Sequence, residues 1–270
     1  MTKVADVPVD QNQALVCLMA HGACEFIATL ALLLAVMGSF AWLVVPFVAP
    51  ALQPLVLATV VGATIALIAK SPIGKLSGAH MNPAISLAFW LQRRMSTSEM
   101  LVYVLMQFGG AVTACELLSV ILHKHFEAIG FGVLSPASGL STTGLLAFEA
   151  GATAGLVVIL FVVLSRQQLT RHAAISVALY VALVTVWLAP LTGASLNPAR
   201  AYGAALAAHQ LNGLWPYCVA PLAGAVIASV GYGLITWLPK PRYHRLNHSH
   251  EHANYTLHLW DRLQRFRRQP

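Results

Sequence analysis

Charge is what this sequence has least of. Only 9% of its 270 residues are Asp, Glu, Lys or Arg, against roughly 25% in a soluble domain. With 58% hydrophobic residues and a mean hydropathy of +0.71, the chain reads as an integral membrane protein. Cysteine is sparse too: Cys17, Cys24, Cys115 and Cys218 lie in or beside apolar runs with no CxxC pair. That argues against a zinc site or a disulfide framework and for thiols buried as small hydrophobes. Residues 1–12 are polar and lack a basic–apolar–small cleavage pattern, so no removable signal peptide is expected. There is no nucleophile–base pair with a spacing signal and no phosphate-cradling glycine loop. The expectation is therefore no enzyme, no cofactor and no metal. The net charge of +7 would suggest nucleic acid in a soluble protein; here it reads as topology, with no nucleic-acid partner.

What the chain has in abundance is long apolar sequence. Six runs approach the roughly 20 residues a spanning helix needs: about 14–38, 51–70, 98–122, 142–165, 172–190 and 214–238. With both termini cytoplasmic, fourteen of the 16 Lys and Arg residues fall on that side; Lys124 alone falls outside and Arg200 lies within an apolar stretch.

Two stretches then look like copies of one another. One is Ser77-Gly78-Ala79-His80-Met81-Asn82-Pro83-Ala84, the other Thr192-Gly193-Ala194-Ser195-Leu196-Asn197-Pro198-Ala199. Asn is a strong N-cap and Pro is favoured at the first helical position, so each Asn-Pro-Ala starts a helix. The runs that follow, 83–92 and 198–209, are apolar but reach only about half the hydrocarbon thickness. They read as re-entrant half-helices. Glu25 and Glu149 open spans one and four, and Gly109-Gly110-Ala111 in span three answers Ala223-Gly224-Ala225 in span six. Three spans per repeat make the halves run oppositely. The expected fold is an all-α membrane protein, six transmembrane helices plus two half-helices in an inverted repeat. Residues 1–130 form the first repeat, 131–238 the second and 239–270 a cytoplasmic tail. Paired glycines such as Gly151 and Gly155, or Gly231 and Gly233, are read as close helix contacts. The tail, with His244, His248, His250, His252, His258 and the basic run 262–268, is read as solvated against anionic lipid, with some spacing for an interfacial helix.

In this arrangement the Asn82 and Asn197 amides point between the repeats, where two half-helix N-termini converge in a positive potential. A polar solute in single file accepts from both; cations and hydronium are repelled. Loops 75–81 and 190–196 offer carbonyl acceptors. Arg200 in an apolar half-helix is costly and functional by default. It either donates to a passing solute or is satisfied by backbone carbonyls, and both can hold. Glu116 is the only further acid deep in a span, and His21 and His209 are placed at the interface.

The paired Asn-Pro-Ala signatures, with residues 14–238 around them, closely resemble the aquaporin or major intrinsic protein family. The resemblance implies the aquaporin fold, a bacterial-type homotetramer in an inner membrane with a pore in each protomer, and water and small neutral solutes as partners within the lipid bilayer. It makes Asn82, Pro83, Ala84, Asn197, Pro198 and Ala199 pore-lining. It assigns the selectivity filter to Arg200, Ala194, Thr185 and Gly62, or Val61 if the loop carries an insertion. Glu25 and Glu149 become supports for the loops, and His80 a candidate gate. The family's water-selective aromatic and histidine are not evident, nor is the Asp that follows the arginine in its glycerol channels, since Ala201 stands there. Small filter residues imply an opening wide enough for glycerol, urea or ammonia. Against the passive channel stand a secondary transporter with a midplane site, which should show clustered acids, and a non-conducting junction protein, which needs elaborate outer loops.

Overall fold

A computed structural model describes residues 11–235. The histidine-rich tail, the polar first ten residues and the end of the sixth run, to residue 238, lie outside the described residues. Six helices among those described are long and apolar enough to cross a membrane. α1 (Gln11–Ser39) passes through a π-helical turn at Phe40–Val44 into α2 (Val45–Phe47). The apolar rod spans 36 residues, Asn12–Phe47, or about 54 Å against a hydrocarbon core of about 30 Å. The sequence places a boundary near 38, at Gly38-Ser39, but the helix runs through that pair, with Ser39 still right-handed helical. Ser39 Oγ donates to Ala35 O at 2.5 Å and Val36 O at 3.1 Å, a back-bonding that loosens the ladder where the π turn begins.

After a 3₁₀ turn at Pro50–Leu52 come α3 (Gln53–Lys70), the short α4 (Pro72–Ser77), the half-helix α5 (Pro83–Leu91) and α6 (Thr97–Ile121). The second repeat follows α7 (His123–Ala128): α8 (Thr142–Ser165), α9 (Gln167–Thr170), α10 (Ala173–Thr192), the half-helix α11 (Pro198–Ala207) and α12 (Trp215–Leu234). Both half-helices stop slightly earlier than expected. Two residues past each end the chain turns left-handed, at Arg93 (φ 56°) and His209 (φ 52°), and neither helix can continue through that.

Helix packing repeats between the halves at atomic level. A β-carbon on Gly110 of α6 would run into the Phe26 carbonyl of α1, and one on Gly224 of α12 into the Ala150 carbonyl of α8. Phe26 and Ala150 each follow the glutamate of their helix, so these glycines let two helices meet backbone to backbone beside the same residue in each repeat. Gly203 of α11 likewise meets the Ala111 carbonyl of α6, whereas Gly155 makes room for the Tyr180 side chain and nothing lies within 4 Å of a β-carbon at Gly151 or Gly231. Leu67, Leu105, Val120 and Trp187 stay exposed on the outside, as a lipid-facing surface requires. Of the cysteines only Cys115 is fully buried; Cys17, Cys24 and Cys218 are half-buried. His21 is buried between α1 and α6, 3.6 Å from Glu99 in the first turn of α6. Glu116 is exposed on the flank of α6.

Candidate functional site

α4 and α10 both end on a left-handed glycine, Gly78 (φ 101°) and Gly193 (φ 88°). The chain stays left-handed at Ala79 and Met81 in one loop and at Ala194 and Leu196 in the other, with φ from 47° to 53°. Each such non-glycine residue costs about 1–2 kcal/mol, so both loops need an outside restraint. A fully buried carboxylate supplies it in each half. Glu25 Oε1 accepts from Ser77 Oγ at 2.7 Å and His80 N at 3.0 Å, and its Oε2 from Met81 N at 2.7 Å. Glu149 Oε1 accepts from Thr192 Oγ1 at 2.6 Å and Ser195 N at 3.0 Å, and its Oε2 from Leu196 N at 2.8 Å. Charge-assisted bonds of this kind are the strong ones, and turning these N–H groups toward the glutamate turns the loop carbonyls away from it. Glu25 has a fourth donor, Gln107 Nε2 at 2.8 Å. The second repeat carries Pro221 at the matching place on α12, which has no donor to offer.

The two asparagines cap their half-helices and tie the loops together. Asn82 Oδ1 accepts from Ala84 N at 2.9 Å, and Asn197 Oδ1 from Ala199 N at 3.0 Å and Arg200 N at 3.4 Å. The expectation is that both amide nitrogens are wholly available to a solute. One N–H of each is instead committed across the repeats: Asn82 Nδ2 donates to Leu196 O at 2.7 Å and Asn197 Nδ2 to Met81 O at 2.7 Å. That leaves the second N–H of each amide for the space beside them. Pro83, Ala84, Pro198 and Ala199 are buried behind the caps as the first turns of α5 and α11.

That space is a cavity of about 490 Å³ bordered by Asn82, Asn197, Thr185, Ala194 and Arg200. On α3 the wall residue is Val61. Gly62 faces away: a β-carbon there would sit 3.0 Å from Ala178 O and 3.1 Å from Ala182 Cβ of α10, so Gly62 is a packing position. α4 and the last turn of α10 are helical, so the non-helical carbonyl stretches shrink to residues 78–81 and 193–196. Thr185 Oγ1 donates back to Val181 O at 2.8 Å, leaving its oxygen lone pairs unspent. Arg200 Nη1 donates to the Gly132 carbonyl at 3.0 Å, and no ion pair to a carboxylate accompanies it among the described residues. His80 is buried on the wall, with Nδ1 3.1 Å from Ser86 Oγ and its ring stacked on Phe89 at 5.0 Å. No group of three or more His, Cys, Asp or Glu converges among the described residues.

Sequence reasoning missed Gln107, Gly132 and the Ser77/Thr192 hydroxyls. The hydroxyls had a signal, a matched Ser and Thr five residues before each Asn; Gly132 had none, because its part is played by a backbone carbonyl on a distant turn.

Two half-helices meeting at their capped N-termini, cross-tied amide to carbonyl beside a cavity, define an inverted-repeat membrane protein of six spanning helices and two half-helices. The family model of the major intrinsic proteins matches residues 15–232, and the chain belongs to that family. Over 175 residues it is 34% identical to aquaporin NIP1-1 of Zea mays, covering 63% of this chain and 59% of that one. Over 176 residues it is 32% identical to aquaporin-1 of Homo sapiens, covering 64% and 65%. The chain thus spans about three fifths of the length of these curated relatives. The X-ray structure of the aquaglyceroporin from Plasmodium falciparum shares the fold, with a TM-score of 0.65 at 20% identity over 82% of this chain and 97% of that one.

Proposed function

We propose that this chain is a passive transmembrane channel for water and small uncharged solutes. The observation that carries the reading is the reciprocal pair of bonds from Asn82 to Leu196 O and from Asn197 to Met81 O, made at the wall of a lumen. They fix both amides so that one N–H of each faces a passing molecule. A water oxygen between them accepts from both, while the N-terminal ends of α5 and α11 contribute about half a positive charge each. Hydronium and metal cations meet that potential in a low-dielectric setting and are repelled. Arg200 adds a full positive charge and directs its remaining N–H groups to the solute. The loop carbonyls at 78–81 and 193–196 accept from the other side.

Val61, Thr185, Ala194 and Arg200 form the proposed filter. None is aromatic, so the opening admits glycerol, urea and ammonia besides water. The names of the relatives, aquaporins and an aquaglyceroporin, support both kinds of cargo. Glu25 and Glu149 are the loop supports, and His80 packs against Ser86 and Phe89 in the wall, where a change in its contacts would gate the path. The chain acts as a homotetramer of independent pores in a bacterial inner membrane, with both termini cytoplasmic. The charge bias of the connections supports that orientation, and the family resemblance the rest.

Stopped-flow light scattering of proteoliposomes in gradients of water, glycerol, urea and ammonia tests the proposal. A low activation energy without saturation is expected for water and glycerol. Saturable, strongly temperature-dependent flux would indicate a carrier and defeat it.

A further inference from the structure

Met37 of α1 stands where the lumen meets the turn that holds Arg200. Its side chain borders the lumen and is only 4% exposed. On one side its sulfur packs on Gly132: a β-carbon at that glycine would lie 3.3 Å from Met37 Sδ. On another side the buried thiol of Cys115 donates to the same sulfur at 3.8 Å. Gly132 is the residue whose carbonyl accepts from Arg200 Nη1 at 3.0 Å. It sits in a turn in which Gly130, Phe131 and Gly132 are all left-handed, at φ 59°, 54° and 70°. A thioether therefore props the turn that aims the filter arginine, with a thiol donor already in place behind it.

We infer that Met37 is a modification site, and that oxidation of its thioether by hydrogen peroxide shuts the filter down. Peroxide is a small neutral solute with hydrogen-bonding groups like those of water, and it reaches this sulfur through the lumen. In the step, a sulfur lone pair attacks one peroxide oxygen, the S–O bond forms and the O–O bond breaks. The departing hydroxide takes the proton carried by the transferred oxygen and leaves as water. Sulfur loses two electrons, the peroxide gains them, and the products are methionine sulfoxide and water. The new oxygen is a strong acceptor at a point that had only a weak one. Cys115 turns its thiol proton to it, and on the lumen side it competes with the Gly132 carbonyl for the guanidinium. It also needs room that Gly132 occupies. Arg200 leaves its present aim and the lumen narrows beside it. Met81 borders the lumen as well, but it is tied to the site by its carbonyl, through Asn197 at 2.7 Å, and not by its sulfur.

The inference rests on the channel reading, since a lumen passing small neutral solutes is what delivers the oxidant. The test uses the full chain in proteoliposomes, with water permeability measured before and after hydrogen peroxide and peptide masses read for the gain of one oxygen. Each variant is compared with itself, so differences in starting permeability cancel. Unmodified protein is expected to lose about threefold or more of its permeability as Met37 gains oxygen, and methionine sulfoxide reductase with a thiol reductant restores it. Met37→Leu abolishes the loss; Met81→Leu and Cys115→Ala retain it. The inference is overturned if Met37→Leu loses permeability as the unmodified chain does, if permeability falls while the Met37 peptide keeps its mass, or if that peptide is oxidised with no change in permeability. Permeability no higher than that of protein-free vesicles before any peroxide would instead overturn the channel reading. Oxidation at Met37 in that case still decides the chemical half of the inference.

Discussion

Replacing Glu149 by Gln is the sharpest test of how the second loop is held. The carboxylate accepts three donors and donates nothing: Thr192 Oγ1, Ser195 N and Leu196 N at 2.6, 3.0 and 2.8 Å. Glutamine has nearly the same shape, but one of its two terminal atoms is an NH2 that cannot accept. Either Leu196 N or Ser195 N then faces another donor in a fully buried site. One buried N–H left unpaired costs about 1–3 kcal/mol. The remaining bonds fall from charge-assisted to neutral and lose roughly half their strength. Together the penalty is about 2–4 kcal/mol. The restraint it removes holds Ala194 and Leu196 left-handed, which stores about 1–2 kcal/mol at each residue. Penalty and stored strain are of the same size, so the loop relaxes and does not endure the mismatch. The Leu196 carbonyl then leaves Asn82, and Ala194 leaves the wall. Glu149→Gln is expected to lower Tm in detergent and to cut water permeability by about tenfold, the equivalent of about 1.4 kcal/mol in the barrier. A Gln variant that melts and conducts like the unmodified chain would refute the claim that this carboxylate shapes the path.

Other predictions concern individual positions. Val61→Phe should reduce glycerol flux by about tenfold and water flux far less, by narrowing one wall of the filter; equal losses in both would place the wall elsewhere. Gly62→Ala should leave the glycerol-to-water ratio unchanged and lower Tm, since the added methyl meets Ala178 and Ala182 at a cost of about 1–3 kcal/mol. Arg200→Val should admit protons, read as faster acidification around an entrapped pH dye, and continued exclusion would mean the half-helix ends suffice alone. Asn197→Leu removes a helix cap and leaves the Met81 carbonyl unpaired, together about 2–4 kcal/mol; an unchanged Tm would show that the cross-tie contributes nothing. Gly110→Ala and Gly224→Ala should both fail to yield folded protein, because each methyl strikes a backbone carbonyl that cannot move aside.

Much of the fold is legible in the order of the residues alone. Local chemistry determines it: apolar runs of spanning length, a basic bias of the connections, and two Asn-Pro-Ala turns each able to start a helix and too short a run afterward to cross. Those features depend on residues within a few positions of one another or on a sum over the chain, and both survive being read as a string. The sequence also points to Glu25, Glu149 and Arg200, because a charge in an apolar run is too costly to be idle.

What the string cannot say is where each group finds its partner. Asn82 and Leu196 are 114 residues apart, and Arg200 and Gly132 are 68; nothing in either neighbourhood encodes the meeting. Val61 and Gly62 are adjacent in sequence but point about 100° apart around the helix axis. Only the packing of α3 on α10 decides which of the two faces the lumen. The same holds for Met37, an ordinary apolar residue in sequence, which tertiary contact sets between a thiol and the turn that carries the arginine's acceptor.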